Sequence, residues 1–431
     1  MMTLNGKTQD YYVQVTSFLK PSTSLTVNTG SGLSWSLNGA SLSVHGDWHY
    51  KYRLGFIKIS DSGSFDVDVL GISESLTVTL GASQTGEPTI HSTGCYCNID
   101  DLSIDLHGGA SWLYDLFIGF VSDSLQDNIQ SKLCDAARKA VDENAARELS
   151  TLQVQVVIDH QWLLDYRLVS GPTFGTGYFE SYHKGEFFFA AEPTEAPFKP
   201  ASLPSQVSSD RMATFWVSDY VLNTAGYVLH QRNILSYNLT QKDLPEDQKS
   251  FLNTTCCAAC KCIGKLLPQV AQSYPEASVE AWMSTSEPPT INIDPKNIFG
   301  NFTGTIILSA RLSNGSLAHL FKVKITAQIV ILPSFDGSTL RASVSSISEV
   351  ISIVDSSIGP VSADIIKFFF DYAKKAFIIS RLNAVGAKGF PIPRIHHVRF
   401  PNTELQLMSN CVFLKTDVQY NPDTLYFQPR I

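Results

Sequence analysis

A chain of 431 residues is longer than one ordinary core supports, so two domains of about 200 residues each are the default expectation. With 44% hydrophobic and 17% charged residues the chain reads as globular rather than disordered, and no uninterrupted apolar run of about 18 residues is present to span a membrane as a helix. Residues 1–200 carry 12 Lys and Arg against 23 Asp and Glu, a net of −11, while the remainder is +3; an acidic first half argues against nucleic acid, whose phosphates need a basic face.

The opening MMTLNGKTQDYY lacks the apolar core of a secretory signal. From Leu33 to Leu106 apolar and polar residues alternate in runs such as FDVDV, LTVTL and LSIDL, separated by Gly and Ser turns, which predicts half-buried antiparallel sheet. Leu113, Leu116, Phe117, Phe120, Leu125, Ile129 and Leu133 then recur at spacings of three to five, predicting one long amphipathic helix to about Leu149. Further strands are expected between Gln153 and Phe189. Pro193, Pro197, Pro200 and Pro204 make the next segment a stiff extended linker.

The second half repeats the plan. Ser218 caps a helix whose apolar stripe reads Val221, Leu222, Ala225, Val228 and Leu229. Strands follow over Thr303–Ile331 and Leu340–Val354, and Gly359 turns the chain into an apolar helix from Val361 to about Ile379. The first half has the same order of strand, glycine turn and helix, but no helix precedes its strands. An amino-terminal helix is therefore expected to be missing.

Sequons at Asn238, Asn253, Asn301 and Asn314, with eight cysteines, point to a secreted glycoprotein folded in an oxidising compartment, so the signal peptide is expected to be absent through truncation. The run CCAACKC, with Cys256, Cys257, Cys260 and Cys262, contains the Cys-x-x-Cys spacing of a metal or redox site; simple packing or an extra disulfide are the plainer readings. No HExxH, GxSxG, P-loop or GxGxxG occurs, and the adjacent His396 and His397 would point to opposite sides of a strand, so the chain reads as a non-enzyme without a metal.

The words DRMATFWVSDYVLNTAG (210–226), PEASVEAWMSTSEPP (275–289), LSNGSLAHLF (312–321), SIGPVSADII (357–366) and GFPIP (389–393) resemble the bactericidal/permeability-increasing and lipopolysaccharide-binding protein (BPI/LBP) family. So do SLNGASLSVHGDWHYKYRLGFIKISDSGSFDVDV, SQTGEPTIHSTGCY and SWLYDLF in the first half. The likeness runs from about residue 11 to residue 420, lacking the family's amino-terminal helix and first strand.

The resemblance implies an α+β fold: a boomerang of two elongated barrels, each a twisted antiparallel sheet wrapped on long helices, joined by a central sheet. The expected division is 1–192 for the first lipid-binding barrel, 193–209 for the Pro-rich linker and 210–431 for the second barrel. Each barrel is expected to hold a phospholipid as its bound ligand, with no other cofactor. The slot walls are expected at Trp112, Leu113, Leu116, Phe117, Phe120 and Val121 in the first barrel and Ile365, Ile366, Phe369 and Phe370 in the second. The family disulfide would join Cys95 to Cys134; Cys97, two residues on, is expected on the opposite sheet face. The family's lipopolysaccharide tip maps to Trp48, Lys51, Arg53 and Lys58, where cations would meet lipid A phosphates. The function implied is secreted, innate-immune binding of lipopolysaccharide and bacterial phospholipid, possible receptor contact included. The alternative is an extracellular phospholipid or neutral-lipid transfer protein.

Overall fold

The alternating runs of the first half fold as long strands, and the register of those strands decides which apolar side chains face inward. The computed structural model describes residues 13–54, 57–109, 118–158, 160–204, 210–337, 339–392 and 398–420. The chain divides into two compact units, Met1–Leu152 with Arg167–His183, and Gln153–Tyr166 with Lys184–Ile431. The second unit thus takes in residues 153–166 and 184–192, which the 1–192 division assigned to the first.

In the first unit β1 (Val13–Leu19) and β2 (Ser22–Asn28) precede a long hairpin of β3 (Gly32–Leu54) and β4 (Ile57–Ala82), followed by β5 (Pro88–Asn98) and β6 (Asp101–His107). All pairs are antiparallel: β3 takes β2 and then β1 along one edge and β4 along the other, while β4 takes β6 and then β5 on its far edge. A strand changes partner where it bends. Gly39, with φ +77°, sits where the β3–β4 register slips, and Gly71, with φ +63°, sits where β4 passes from β6 to β5. Glycine adopts such angles without strain, and a Cβ at Gly71 would collide with the Asp100 carboxylate.

Helix α1 (Ile118–Lys139) runs through a π segment, Ala140–Ala145, into α2 (Ala146–Ser150). Its Leu125, Ile129, Leu133 and Cys134 pack on Ala40, Val69, Ile72, Cys97, Ile99 and Leu102 of the sheet. Polar ties fix the same contact: the Gln126 amide donates to the Ile99 carbonyl at 2.9 Å, and Asp142 accepts from the Ser92 amide and hydroxyl at 2.7 Å. The Cys95–Cys134 disulfide, with Cα atoms 5.7 Å apart, pins helix to strand as the resemblance implied. Cys97 is a correction. Side chains repeat with period two along a strand, so Cys97 shares the face of Cys95 and lies buried against Cys134 in the helix–sheet core.

Of the next short pairings, β7 (Gln155–Ile158) with β8 (Trp162–Asp165) belongs to the second unit, and β9 (Thr173–Phe174) with β10 (Phe179–Glu180) to the first. Two three-stranded sheets lie in the second unit. One is β7, β8 and β11 (Glu186–Phe189). The other joins β12 (Ala213–Ser218) to two late strands described below. Helix α3 (Asp219–Gln231), whose Val221 packs with Leu164 and Tyr166, is capped by the Ser218 hydroxyl, which accepts from the Tyr220 amide at 3.2 Å. Its buried face is Tyr220, Val221, Thr224 and Val228; Leu222, expected in the stripe, is exposed.

The main sheet of the second unit runs β13 (Ser236–Leu239), β14 (Ser278–Thr285), β16 (Ile298–Arg311), β17 (Leu317–Phe335), β18 (Thr339–Ser356) and β19 (Phe390–Pro391), with β15 (Thr290–Ile293) also on β16. Helix α4 (Ala363–Ala373) continues through a π segment, Lys374–Ile378, into α5 (Ile379–Lys388). Both units therefore set a π-interrupted helix against the sheet. The helix expected to end near Ile379 runs on to Lys388. Backbone contact carries it on: the Val344 amide donates to Asn383 Oδ1 at 2.7 Å, and Gly386 lets the helix touch the Ala342 carbonyl. Gly389, at φ +70°, ends it. Beyond it, β20 (Val398–Arg399) pairs β23 (Gln419–Tyr420), and β21 (Glu404–Met408) and β22 (Cys411–Thr416) complete the β12 sheet.

The expected linker is fastened along its described residues. Along residues 193–204 the Ala196 amide donates to the buried Glu186 at 2.7 Å, Lys184 bridges Glu186 and Glu195, and Phe198 meets the rings of Tyr220 and Tyr227 edge-on at 5.7 and 6.0 Å.

Candidate lipid-binding surfaces

Directly opposed residues on paired strands share a face, so the register of the first sheet shows what its apolar side is made of. Val15 lies opposite Val44 and Phe18 opposite Leu42; Leu25 lies opposite Trp35, itself opposite Leu76. Leu76 and Val78 are buried, and Leu42 packs into the helix–sheet core. Towards β1 and β2 that same face opens: Val15, Phe18, Leu25 and Trp35 are 58%, 64%, 65% and 37% exposed. An apolar strip continuous with the core, and accessible, is what an acyl chain requires; each methylene it buries contributes about 0.8 kcal/mol. None of the four is among the expected walls, which lie on helices; their common face arises only when β1 and β2 pair with β3.

Of the expected walls, Trp112, Leu113, Leu116 and Phe117 lie outside the described residues, and the side chains of Phe120 and Val121 in α1 do so as well. In the second unit Ile366 is buried, and Ile365 and Phe369 pack with it against Ile263, Leu267, Val270, Leu320, Phe321 and Val323. Phe370 is half-buried, with the Lys374 ammonium 5.8 Å from its ring centre.

That inner face holds a charge in its middle. The rows Gly304, Ile325, Ile351 and Gly300, Ile329, Ile347 flank a row of Phe302, Ala327 and Glu349. The Glu349 side chain is 2% exposed and pairs with Lys374 at 3.0 Å and Lys367 at 3.2 Å, while Lys374 also holds Asp371 at 2.8 Å. Burial opposes the charge on Lys374, but its bonds to Asp371 and Glu349 outweigh that and hold its pKa above the ordinary lysine value. The second unit's interior is thus apolar on either side of a polar cross-brace.

At the β3–β4 hairpin, register pairs Arg53 with Lys58 and Lys51 with Ser60, so the three basic positions fall on one side of the ladder; their side chains, with residues 55 and 56, lie outside the described residues. Trp48, expected at this tip, is half-buried. Its ring covers Gly63 and its indole N–H donates to the Ser64 carbonyl at 3.1 Å. Below it, Asp66 accepts from His45 at 2.7 Å and from His107 at 3.0 Å; the His45 hydrogen bond does most to hold the Asp66 carboxyl below the ordinary aspartate range.

The sequons differ in setting. Asn314 sits in the exposed β16–β17 turn, its Oδ1 accepting from the Ser316 amide and hydroxyl at 2.9 and 2.7 Å, which leaves its Nδ2 outward. Asn238 instead spends Nδ2 on Glu280 at 3.0 Å, Asn301 Oδ1 accepts from Gln328 at 3.1 Å, and Asn253 Oδ1 accepts from Gln241. Among the described residues the one grouping compact enough for an ion is Glu74, Cys95 and Cys134, and its two sulfurs are bonded to each other. CCAACKC forms two nested disulfides, Cys256–Cys262 and Cys257–Cys260, so the extra-disulfide reading of that run is the one the structure carries. Among the described residues no helix is long and apolar enough to cross a membrane.

Residues 1–152 match the model of the LBP / BPI / CETP family N-terminal domain, and residues 156–420 that of its C-terminal domain. A bactericidal permeability-increasing protein of Sebastes schlegelii is 30% identical over 410 residues, 95% of this chain and 84% of that one. The lipopolysaccharide-binding protein of Mus musculus is 29% identical, covering 92% and 80%. A crystal structure of lipopolysaccharide binding protein superposes with a TM-score of 0.58 at 26% identity, covering 95% of this chain and 88% of that one.

Proposed function

The chain belongs to the LBP / BPI / CETP family, and from that premise we propose that it is a secreted, non-catalytic lipid-binding glycoprotein of innate immunity that takes up lipopolysaccharide, through lipid A, and bacterial phospholipid. The observation that carries the reading is the accessible apolar strip of Val15, Phe18, Leu25 and Trp35, continuous with the core of the first unit. Acyl chains lie along that strip and along the inner face of the second unit. Lys51, Arg53 and Lys58 at the hairpin pair with lipid A phosphates.

The net of −11 over residues 1–200 favours a second reading, a carrier or transfer protein for phospholipid or neutral lipid. The two readings differ in salt response, because ion pairing at an exposed tip is screened and acyl burial is not. Cosedimentation with lipid A vesicles and with phosphatidylcholine vesicles, at low and near-molar salt, separates them. Lipopolysaccharide recognition predicts binding that prefers lipid A, falls about tenfold or more at high salt, and is lost in a Lys51→Ala, Arg53→Ala, Lys58→Ala variant. Equal uptake of both lipids at either salt concentration makes the protein a carrier, and full lipid A affinity in the triple variant removes the tip from the account.

A further inference from the structure

The nested disulfides of CCAACKC are unequal. Cys262 is 2% exposed and leads directly into Ile263 and Leu267 of the second unit's core; the backbone there is pressed against its neighbour, since a Cβ at Gly264 would collide with the Thr254 carbonyl. Cys257 is exposed, as are Ala258 and Ala259 between it and the half-buried Cys260. Cys257–Cys260 also closes the shortest loop, with a separation of 3 residues against 6 for Cys256–Cys262 and 39 for Cys95–Cys134. The chain entropy a crosslink removes grows with loop length, so this bond gains least from folding. A cation stands beside the outgoing sulfur's own residue: the Lys265 ammonium donates to the carbonyls of Ala258 at 2.6 Å and Cys260 at 2.9 Å. Positive charge near a cysteine favours its thiolate, and a stabilised thiolate is the better leaving group.

We infer that Cys257–Cys260 is a thiol–disulfide exchange site, reduced reversibly by an external dithiol while Cys256–Cys262 stays closed beneath it as a structural clasp. One thiolate of the dithiol attacks the sulfur of the exposed Cys257, breaking the Cys257–Cys260 bond and releasing the Cys260 thiolate. The second thiol of the reductant, as thiolate, attacks its own sulfur of the mixed disulfide and releases the Cys257 thiolate. The reductant leaves as a disulfide, and the protein has gained two electrons and, on protonation, two protons. The loop Ala258–Ala259 is then untethered, and the core packing of Ile263 and Leu267 is unchanged.

The test is graded reduction of the folded full chain with dithiothreitol, quenching with iodoacetamide and mapping the alkylated peptides. The expected result is labelling of Cys257 and Cys260 at a dithiothreitol concentration about tenfold below that which opens either other disulfide, with unchanged near-ultraviolet circular dichroism. Opening of another bond first, opening of all three together, or different native pairings would each overturn the inference. A Cys257→Ser/Cys260→Ser variant is expected to fold with an unaltered melting temperature and to take no label at low reductant. Failure of that variant to fold would make the bond structural and contradict the proposal.

Discussion

Glu349 shows how one residue sets the character of a whole interior. A carboxylate on the inner face of β18 survives because Lys374 and Lys367 reach it from the helix, and its partner Lys374 is itself only 14% exposed. Removing one member of such a pair leaves the other charged and poorly solvated. Glu349→Ala is therefore expected to cost about 3 kcal/mol of unfolding free energy in a urea titration, whereas Glu349→Leu with Lys374→Leu should fall within about 1 kcal/mol of the parent. A single variant as stable as the parent would show that the brace is solvated and does not organise the interior. Little of this was legible in the sequence. Glu349 stands in an alternating run, SSISEVISIV, whose phase alone does not say which face a bend or bulge will give it; β17 and β18 slip register twice along their length. Val15, Phe18, Leu25 and Trp35 escaped for the same reason, since their common face exists only once β1 and β2 are paired with β3.

At the scale of elements, local period carried most of the reading. The hairpins, the long first helix and the capped helix at Ser218 all follow from apolar spacing and turn chemistry that neighbours in sequence decide. The second helix was read short because Gly386 and Asn383 act through backbone contact with β18, which no apolar period records. The crosslink between α1 and β5 is the element-level feature with the clearest consequence. Cys95–Cys134 closes a loop of 39 residues and joins the helix to the sheet beside the half-buried contacts of Leu125, Ile129 and Leu133. By the chain-entropy model, Cys134→Ser should cost about 4 kcal/mol, read as a lowered denaturation midpoint. The buried Cys97, on the same face as Cys95, is the thiol to watch in that variant. A new Cys95–Cys97 or intermolecular bond would show as loss of free thiol. Stability equal to the parent would mean the helix is held by packing and by the Gln126 and Asp142 hydrogen bonds alone.

At the scale of the molecule, each unit sets a π-interrupted helix against an antiparallel sheet, and in the first the apolar face runs on beyond the helix as accessible surface. The family words in the sequence made the fold legible well ahead of any site, because they sit at turns and caps such as Gly359 and Ser218 that fix chain direction. They carry no information on which lipid is held. Uptake of acyl chains on these apolar faces is read by native mass spectrometry of the full chain after delipidation and re-exposure to a diacyl phospholipid. One or two added lipid masses per chain that persist at high ionic strength are expected, with loss of one when Phe18→Ser and Leu25→Ser are combined. A folded chain that acquires no lipid mass at any phospholipid concentration would contradict it.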